Sequence, residues 1–454
     1  MSSAGSFANW GRTASCKPCA IVRPSDENEL IALLRRAAAE QRPVKVVGGG
    51  HSWSDIACTD GYQVNLDRLE QVISVDRARQ RITVQAGLRL HRLVAVLHSN
   101  GLALPVVGSI LEQSVAGAIS TATHGSAPAH GNLACQVEAL RMVLADGSVR
   151  TVRADEEPDL LSACRVSLGA LGIITEVTLR CVPAFTLREV AMPMDFDEAV
   201  ATLPQLLESA PYLKLWWLPH TQQVLLYRCW PLDPASLKPS RLPAVALDLA
   251  RRLDRWTEEK IVSAQLFDGL LRLSARRPGI IGRMNRAVRA AYFRPRTRVG
   301  ASAHVLTIGM PPRHQECEYA VPVAAAGPML RALRRLIDEH RLTVNFPAEF
   351  RFVAADDSWL SPMHGRASCC IGAYIAGGPA LDHAPYFGRF EELMQSVAGR
   401  PHWGKQFQAP ATYLHSVYPR LGDFAALRRK WDPEGRFLNG YLRRIFDDVE
   451  RPLS

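Results

Sequence analysis

The sequence predicts an α+β protein of two domains, and three observations support that prediction. The chain has 454 residues, which exceeds the size at which a single hydrophobic core usually stops growing. Strand-like and helix-like segments are mixed within two blocks of the chain, a pattern typical of α+β proteins. The apolar strand that begins near Ile173 ends at Pro183. We therefore expect a first domain over residues 1–183 and a second over residues 184–454.

The composition is that of an ordinary globular protein. Apolar residues make up 47% and charged residues 22% of the chain, and every apolar stretch is interrupted before it reaches the length of a membrane-spanning helix. The N-terminus carries no basic segment followed by an apolar one, so we expect a cytoplasmic protein. The formal net charge of +10 suits an anionic partner but does not distinguish a nucleotide, a phosphate, a membrane or a nucleic acid.

The ten cysteines are scattered along the chain, which indicates reduced thiols in a protein of this kind. Cys16 and Cys19 form a lone CxxC pair in a loop-like segment rather than between a strand and a helix, which disfavours a redox role. A zinc site would need a second pair of ligands at a suitable spacing, and the sequence offers none. We therefore expect no metal.

The helices and strands of the first domain are predicted from the residues that begin and end them. Ser25 is the predicted N-cap of the first helix, because serine is a favoured capping residue and the two acids that follow it would lie in the first turn, where the helix dipole favours negative charge. Gly101 is a natural helix stop, and Asp146 with Gly147 is a hairpin turn. The predicted elements are, in order, a helix from Ser25 to about residue 41, strands at 44–47, 62–66 and 81–85, a helix at 88–100, a hairpin at 138–152 and a strand at 173–182.

The second domain has a different predicted order of helices and strands. Its predicted elements are paired strands at 213–218 and 224–229, a mainly helical stretch at 243–295, strands at 303–308 and 343–354, and a short helix at 423–429.

A run of three glycines follows the strand at 44–47. Successive backbone N–H groups without side chains form an anion-binding concavity, so this run can bind a phosphate group. The GxGxxG dinucleotide fingerprint fails because Trp53 occupies the third glycine position and no helix follows, and the Walker pattern is also absent. Taken alone, three glycines after a strand can equally form a plain turn.

A second stretch, residues 101–131, is rich in Gly, Ala, Ser and Thr. Small residues let the backbone approach another group closely, and two such segments in one domain are what an extended dinucleotide would need. The alternative is a tightly packed turn region in which His124 is a hydrogen-bonded core histidine.

Several segments together resemble the aldonolactone oxidase group (the L-gulonolactone and D-arabinono-1,4-lactone oxidase type) of vanillyl-alcohol-oxidase-type flavoproteins. They are Asn9–Trp10 with Cys16, residues 46–61 (VVGGGHSWSDIACTDG), residues 114–126, residues 349–351 with 356–362, residues 402–405 and residues 432–439. The similarity extends over nearly the whole chain and is weakest over residues 190–300.

The resemblance implies a PCMH-type FAD-binding domain followed by an α+β substrate domain, with residues 400–454 packing back near the flavin. The residue that matches His51 carries a covalent 8α bond to the flavin in several members, so the resemblance implies FAD that is covalently bound through His51. The other implied FAD contacts are Val47, Gly48, Gly49, Gly50, Ser52, Ser109, Ser114, Gly117, Ala118, Thr121, Thr123, His124, Gly125, Ile173 and Ile174.

The chemistry of such a site needs a hydride acceptor and a group that stabilises the reacting hydroxyl oxygen. Glu349 and Arg351 lie two residues apart on a predicted strand, so they face the same side, while Phe350 and Phe352 face the core. Their spacing alone also fits a surface ion pair. The resemblance assigns Glu349, Arg351 and Lys405 to catalysis.

Three further residues are expected near the flavin. His402 is either a structural ring near the flavin or a catalytic one. Ser109 can donate a hydrogen bond near the flavin. Gly108 matches a family position that influences oxygen access, and a small residue there favours an oxidase over a dehydrogenase.

The resemblance implies an FAD-dependent oxidoreductase that oxidises a CH–OH group of an aldono-1,4-lactone by hydride transfer to flavin N5, with reoxidation by O₂ or another acceptor. The related alternative is an alditol oxidase acting on a polyol, and the alternative from another class is a non-catalytic flavin-binding protein. A hydrolase is unsupported because neither GxSxG nor HExxH occurs.

Nine arginines and no acid occur between Arg272 and Arg298. Such a segment can dock an anionic membrane or an acidic electron acceptor, or it can be a helix surface with acids opposite it. It lacks the interleaved aromatic residues of a single-strand nucleic-acid groove, so we expect no nucleic-acid partner.

Overall fold

The computed structural model of the protein describes residues 5–233, 263–376 and 381–450. Strands before and after residue 183 belong to different sheets. The strands up to that residue are β1 (Phe7–Ala8), β2 (Ser15–Cys16), β3 (Ala20–Val22), β4 (Val44–Val47), β5 (Tyr62–Asn65), β6 (Val72–Asp76), β7 (Arg81–Gln85), β8 (Leu102–Ala103), β9 (Val137–Val143), β10 (Val149–Arg153), β11 (Ile173–Arg180) and β12 (Val182–Pro183).

Two main sheets are built from these strands. One is parallel with the order β3-β5-β4, and the other is antiparallel with the order β10-β9-β11-β7-β6. The glycine run leaves the end of β4 and the chain returns as β5, so the predicted strand–loop–strand unit is confirmed.

The later strands form one antiparallel sheet of eight, in the order β16-β13-β15-β14-β18-β19-β17-β20. They are β13 (Thr186–Asp195), β14 (Tyr212–Trp217), β15 (Gln223–Leu232), β16 (Arg296–Ala301), β17 (His314–Pro322), β18 (Ala348–Val353), β19 (Ser368–Ala376) and β20 (Arg400–Pro401). β19 lies inside this sheet and is buried along its whole length, which explains its continuous apolar sequence.

The α-helices of the described residues surround these sheets, and none is both long and apolar enough to cross a bilayer. They are α1 (Glu27–Ala39), α2 (Leu90–Ser99), α3 (Val115–Ser120), α4 (Pro158–Arg165), α5 (Phe196–Ala201), α6 (Leu203–Glu208), α7 (Ser263–Arg276), α8 (Ile281–Tyr292), α9 (Ser302–Leu306), α10 (Ala326–Glu339), α11 (Ala384–Gln395), α12 (Ala411–Val417), α13 (Leu421–Trp431) and α14 (Gly440–Glu450).

The cap of α1 differs from the prediction. The Asp26 carboxylate, not the Ser25 hydroxyl, accepts the hydrogen bond from the backbone N–H of Glu29 at 2.9 Å. The Glu29 side chain in turn accepts from the backbone N–H of Ser25. The helix therefore begins one residue later than predicted, and the side chains of Asp26 and Glu29 satisfy two backbone N–H groups at its start.

The strand predicted at 303–308 is wrong, because the chain forms the short helix α9 there. The adjacent β16, which is rich in arginine, pairs instead with β13 at the edge of the sheet. Charged residues suit an edge strand, and the short apolar run after it could not be separated from a helix by periodicity alone. Of the predicted helical stretch at 243–295, residues 243–262 lie outside the described residues, and α7 and α8 confirm the helical prediction for the described remainder.

A single large hydrophobic core extends across both halves of the chain. The C-terminal part contacts the first half: the Asn439 side-chain amide donates to the carbonyl oxygens of Asp55 and Cys58 at 3.0 and 2.8 Å. The backbone N–H of Val44 donates to the carbonyl of Arg436 at 2.8 Å. The change of sheet at residue 183 is compatible with a domain boundary, and the boundary itself stays a prediction.

Candidate active site

A cavity of about 430 Å³ lies where the first half of the chain faces the eight-stranded sheet, with walls contributed by both. A narrower cleft of about 100 Å³ adjoins it and is lined by the glycine run, Ser114, Gly172 and Ile174. The cavity and the cleft share His51, Ser52, Gln113 and Thr121 in their linings. Together they form a cavity with an adjoining cleft.

The glycines of the cleft allow two backbone segments to come together. A Cβ atom on Gly48 would overlap the Ser114 hydroxyl oxygen, and one on Gly49 would lie 2.8 Å from the Glu112 carbonyl oxygen. Ser114 caps α3 through a hydrogen bond from the backbone N–H of Gly117 at 3.2 Å. The cleft therefore has walls of backbone and small side chains, which is the surface that a dinucleotide needs.

His51 stands between the cavity and the cleft. Its Nδ1 atom is buried and has no hydrogen-bond partner among the described residues. Burial, together with the positive charge of Arg89, lowers the pKa of His51 to about 4. The ring is therefore neutral at physiological pH, and an unprotonated ring nitrogen is a competent nucleophile.

Most predicted cofactor residues line the cavity or the cleft. The residues present fit FAD, because the neutral His51 ring, whose Nδ1 atom has no partner among the described residues, lies where the cavity meets the glycine cleft. Ala118 and Ile173 do not line either space, because both are buried in the core. Gly125 also lies outside the lining: a Cβ atom there would meet the carbonyl oxygen of Val107 at 2.6 Å, so its small size serves packing. The lining includes Val47, Gly48, Gly49, Gly50, His51, Ser52, Ser109, Ser114, Gly117, Thr121, Thr123, His124 and Ile174.

The opposite wall of the cavity is set by strand register. Trp216 of β14 is the Cα partner of Glu349 in β18, and Glu349 is the partner of Gly372 in β19. Gly372 is in turn the partner of Glu318 in β17. Residues in one such row point to the same face of a sheet, so the register brings two carboxylates from distant parts of the chain to one wall.

Glu349 and Arg351 form an ion pair in this wall rather than on the surface, with side chains that are 10% and 13% exposed. The Glu349 carboxylate also accepts hydrogen bonds from Trp216 Nε1 at 2.9 Å and from the Tyr374 hydroxyl at 3.3 Å. Burial alone would raise the pKa of Glu349, but the charges of Arg351 and Lys214 lower it to about 2. Glu349 is therefore ionised at any physiological pH. Phe350 and Phe352 point into the core, as predicted.

Lys405 also lines the cavity and has a partner that sequence reasoning missed. Its Nζ atom lies 2.6 Å from Glu316 Oε2 and 4.1 Å from the centre of the Trp53 ring. The Glu316 side chain is only 3% exposed. The charge of Lys405 lowers the pKa of this carboxyl even though burial opposes ionisation.

A second buried cluster adjoins this pair and consists of His124, Glu318 and His402, whose ligating atoms lie within 4.8 Å of one another. His124 Nδ1 faces the Gly125 carbonyl and Nε2 faces Glu318 Oε1, each at 2.9 Å. Although burial disfavours the charged ring, Cys370 and Glu318 raise the pKa of His124. His124 is therefore an imidazolium that donates from both nitrogens.

The His402 ring, in contrast to that of His124, is neutral. Its Nδ1 atom accepts a hydrogen bond from the backbone N–H of Gly404 at 3.0 Å, and burial lowers the pKa of His402 to about 3. The neutral ring then carries its proton on Nε2. A hydrogen bond from Gly404 thus fixes the His402 ring, and an ion pair joins His124 and Glu318.

Glu316 and Glu318 were not recognised in the sequence. The available signal was two glutamates at alternate positions of one segment, which share a face if that segment is a strand, and a buried carboxylate needs a partner. That signal does not identify the partners, which lie far along the chain.

Gly108 and Ser109 both line the cavity. A Cβ atom on Gly108 would lie 2.7 Å from Thr123 Cγ2, so packing against Thr123 is sufficient reason for a glycine there. The preference for an oxidase that was based on Gly108 stays a prediction.

The basic segment contributes part of the outer cavity wall through Val288, Tyr292 and Arg296. Of its nine arginines, Arg272 and Arg298 contact carboxylates within the described part of the chain. At these two positions the described residues place an acid opposite the segment, and the choice between the two interpretations of the segment stays a prediction.

The fold and the site together define a flavoprotein oxidoreductase acting on CH–OH groups. Residues 18–153 match a family of FAD-binding domains, and residues 177–445 match the D-arabinono-1,4-lactone oxidase family. The match extends over more than half of the chain, and the protein belongs to the D-arabinono-1,4-lactone oxidase family.

Known proteins similar to this chain agree with that assignment. L-gulonolactone oxidase of Mus musculus is 32% identical over 445 residues, covering 97% of this chain and 98% of the relative. L-gulono-1,4-lactone dehydrogenase of Mycobacterium tuberculosis is 34% identical over 443 residues with the same coverage. A cholesterol oxidase of Brevibacterium sterolicum superposes with a TM-score of 0.77 over 98% of this chain and 97% of its own at 15% identity, which shows a shared fold.

Proposed function

We propose that the protein oxidises a CH–OH group of an aldono-1,4-lactone with FAD as the resident cofactor. The observation that carries this proposal is that Glu349, Arg351 and Lys405 face the same cavity as His51. When bound, FAD supplies the ring that accepts the hydride. The relatives with lactone names, which match along almost the whole chain, support the choice of a lactone over another alcohol.

The charged wall suits a polyhydroxylated substrate. The ionised Glu349 carboxylate accepts hydrogen bonds from substrate hydroxyls, and with its pKa of about 2 it orients the substrate rather than removing a proton. Arg351 and Lys405 supply positive charge for the substrate oxygen that gains electron density as the hydride leaves. Tyr374 and Trp216 hold the Glu349 carboxylate in place through their hydrogen bonds.

We also propose that FAD is covalently attached through His51. The buried Nδ1 atom without a partner and the lowered pKa of His51 support this attachment. A bond at that atom would remove the only buried polar group of the His51 ring that the described residues leave unsatisfied.

The remaining assignments concern the acceptor and the compartment. We propose that O₂ or another small electron acceptor reoxidises the flavin, and the relatives named oxidase and dehydrogenase support both possibilities. All ten cysteines are free, which supports a reducing compartment such as the cytoplasm. Fractionation of cells that produce the protein, followed by immunoblotting, tests the location.

The test of the proposed reaction is a substrate panel. The purified protein is offered aldono-1,4-lactones and open-chain polyols, each with O₂ and with an artificial dye, and the initial rate is measured. We expect lactones to give the highest kcat/KM. Turnover of polyols with no turnover of lactones would identify an alditol oxidase instead. No turnover of either class by a flavin-loaded protein would contradict the proposal.

A further inference from the structure

Lys405 lies at a point where two spaces meet. On one side is the cavity that holds the charged wall, and on the other is a surface pocket that also contains Ser54 and Asp55. A lysine side chain has a flexible four-carbon stem, so its backbone position alone does not decide which space its ammonium group occupies. In the structure the ammonium contacts Glu316 Oε2 at 2.6 Å and therefore faces inward.

Glu316 is well placed to hold it there. The carboxylate is carried by β17, where Glu316 is the Cα partner of Tyr374 in β19 and its carbonyl accepts a hydrogen bond from the backbone N–H of Gln406 at 3.0 Å, so its backbone has little freedom. On its other side the same carboxylate oxygen lies 3.7 Å from His314 Nε2. The Lys405 ammonium lies over the face of the Trp53 ring, which restricts its movement on that side. Trp53 is itself held by a hydrogen bond that its Nε1 donates to the His314 carbonyl at 2.8 Å.

We propose that Glu316 is a positioning residue that keeps the Lys405 ammonium in the active-site cavity, and this inference rests on the proposed function of that cavity. Without the carboxylate, the surface pocket with Asp55 offers the ammonium a solvated alternative. Glu316 then contributes to catalysis through Lys405 and has no independent role toward the substrate. The two residues act as one unit, and their substitutions are expected to be strongly non-additive.

The test is a double-mutant cycle with Glu316→Gln and Lys405→Met in the FAD-loaded protein. Two quantities are measured: the rate of flavin reduction by a lactone, and the Kd of sulfite, which adds to flavin N5 and is favoured by a nearby cation. In the wild-type background we expect Lys405→Met to slow reduction about tenfold and to weaken sulfite binding about fivefold. In the Glu316→Gln background we expect each effect to shrink to less than about twofold.

A matched control is Cys317→Ala, which changes the neighbouring buried residue of the same strand and does not line the cavity. In that background the effect of Lys405→Met should remain at full size. If Glu316→Gln does not fold, Glu316→Asp replaces it, and the shorter carboxylate should reduce the effect of Lys405→Met on sulfite binding at least twofold.

An effect of Lys405→Met that is equally large in the wild-type and Glu316 backgrounds would overturn the proposal. The sulfite measurement needs no substrate. Sulfite coupling in a protein that no lactone reduces would therefore support the Glu316 assignment while contradicting the proposed reaction.

Discussion

A side chain at Gly48 cannot coexist with the hydroxyl of Ser114, because a Cβ atom at residue 48 would overlap the Ser114 oxygen. The end of β4 and the cap of α3 are thus in contact through a position that only glycine fills without displacement. This contact forms one wall of the cleft next to His51.

Substitution of Gly48 by alanine should therefore displace α3 from the cleft. We expect Gly48→Ala to lower the free energy of unfolding by about 1–3 kcal/mol, the usual effect of overpacking, and to reduce FAD content. Thermal unfolding and the ratio of flavin to protein absorbance measure both effects. Gly388→Ala is the control, since nothing lies within 4 Å of a Cβ atom there, and it should retain full flavin. Normal flavin content in Gly48→Ala would show that the close contact is unnecessary.

Glu349→Gln should leave FAD bound while slowing reduction by a lactone at least tenfold. The substitution removes a charged hydrogen-bond acceptor, a change worth about 1.5–3 kcal/mol at a reacting centre, and leaves the glycine cleft unchanged. Anaerobic stopped-flow reduction gives the rate, and the flavin spectrum before mixing verifies cofactor content. A reduction rate within twofold of the wild type would remove Glu349 from the catalytic assignment.

Lys45 provides a prediction about the pH dependence of stability. It is fully buried beneath the cleft, its ammonium donates to the Leu168 carbonyl at 3.0 Å, and burial lowers its pKa from 10.5 to about 7. Between these two values the unfolded chain holds one more proton than the folded protein. The free energy of unfolding should therefore rise with pH, by up to about 1.4 kcal/mol per unit from this residue.

Lys45→Met should abolish that contribution. Urea unfolding of the wild type and the variant at pH 7, 8 and 9 gives the two slopes, and subtraction removes the other groups that titrate in this range. We expect a smaller slope for Lys45→Met, with the difference vanishing well below pH 7 because both states of Lys45 are then protonated. Equal slopes would show that Lys45 is not buried as described.

His51→Ala tests the proposed covalent bond. We expect flavin to remain with the acid-precipitated wild-type protein and to appear in the supernatant of the variant, because the substitution removes the unpaired Nδ1 atom. Absorbance of the pellet and supernatant measures the distribution. Release of the flavin from the wild type as well would limit His51 to non-covalent binding.

Local chemistry predicted much of the fold. The glycines after β4, the stop at Gly101 and the turn at Gly147 require particular backbone conformations. Gly50, Gly101 and Gly147 have positive φ, so each of these features is visible in the sequence. The short run after β16 was misassigned because a few apolar residues fit either a helix or a strand, and its outcome depended on pairing between β16 and β13.

Some residues of the active site could likewise be predicted from the sequence and others could not. Glu349 and Arg351 could be placed together because two residues on one strand share a face. Glu316 and Glu318 could not be matched to Lys405 and His124, since those pairs depend on the register of an eight-stranded sheet and on contacts across as many as 194 residues. The separation of His124 and His402 into a charged and a neutral ring depends on those same contacts.

The central claim is that the glycine cleft and the charged wall serve one reaction. The most direct measurement is the visible spectrum of the purified protein, recorded anaerobically before and after an aldono-1,4-lactone is added. We predict a flavin spectrum that the lactone bleaches. A colourless protein that takes up no FAD during refolding, or a yellow protein whose spectrum is unchanged by every lactone, would contradict it.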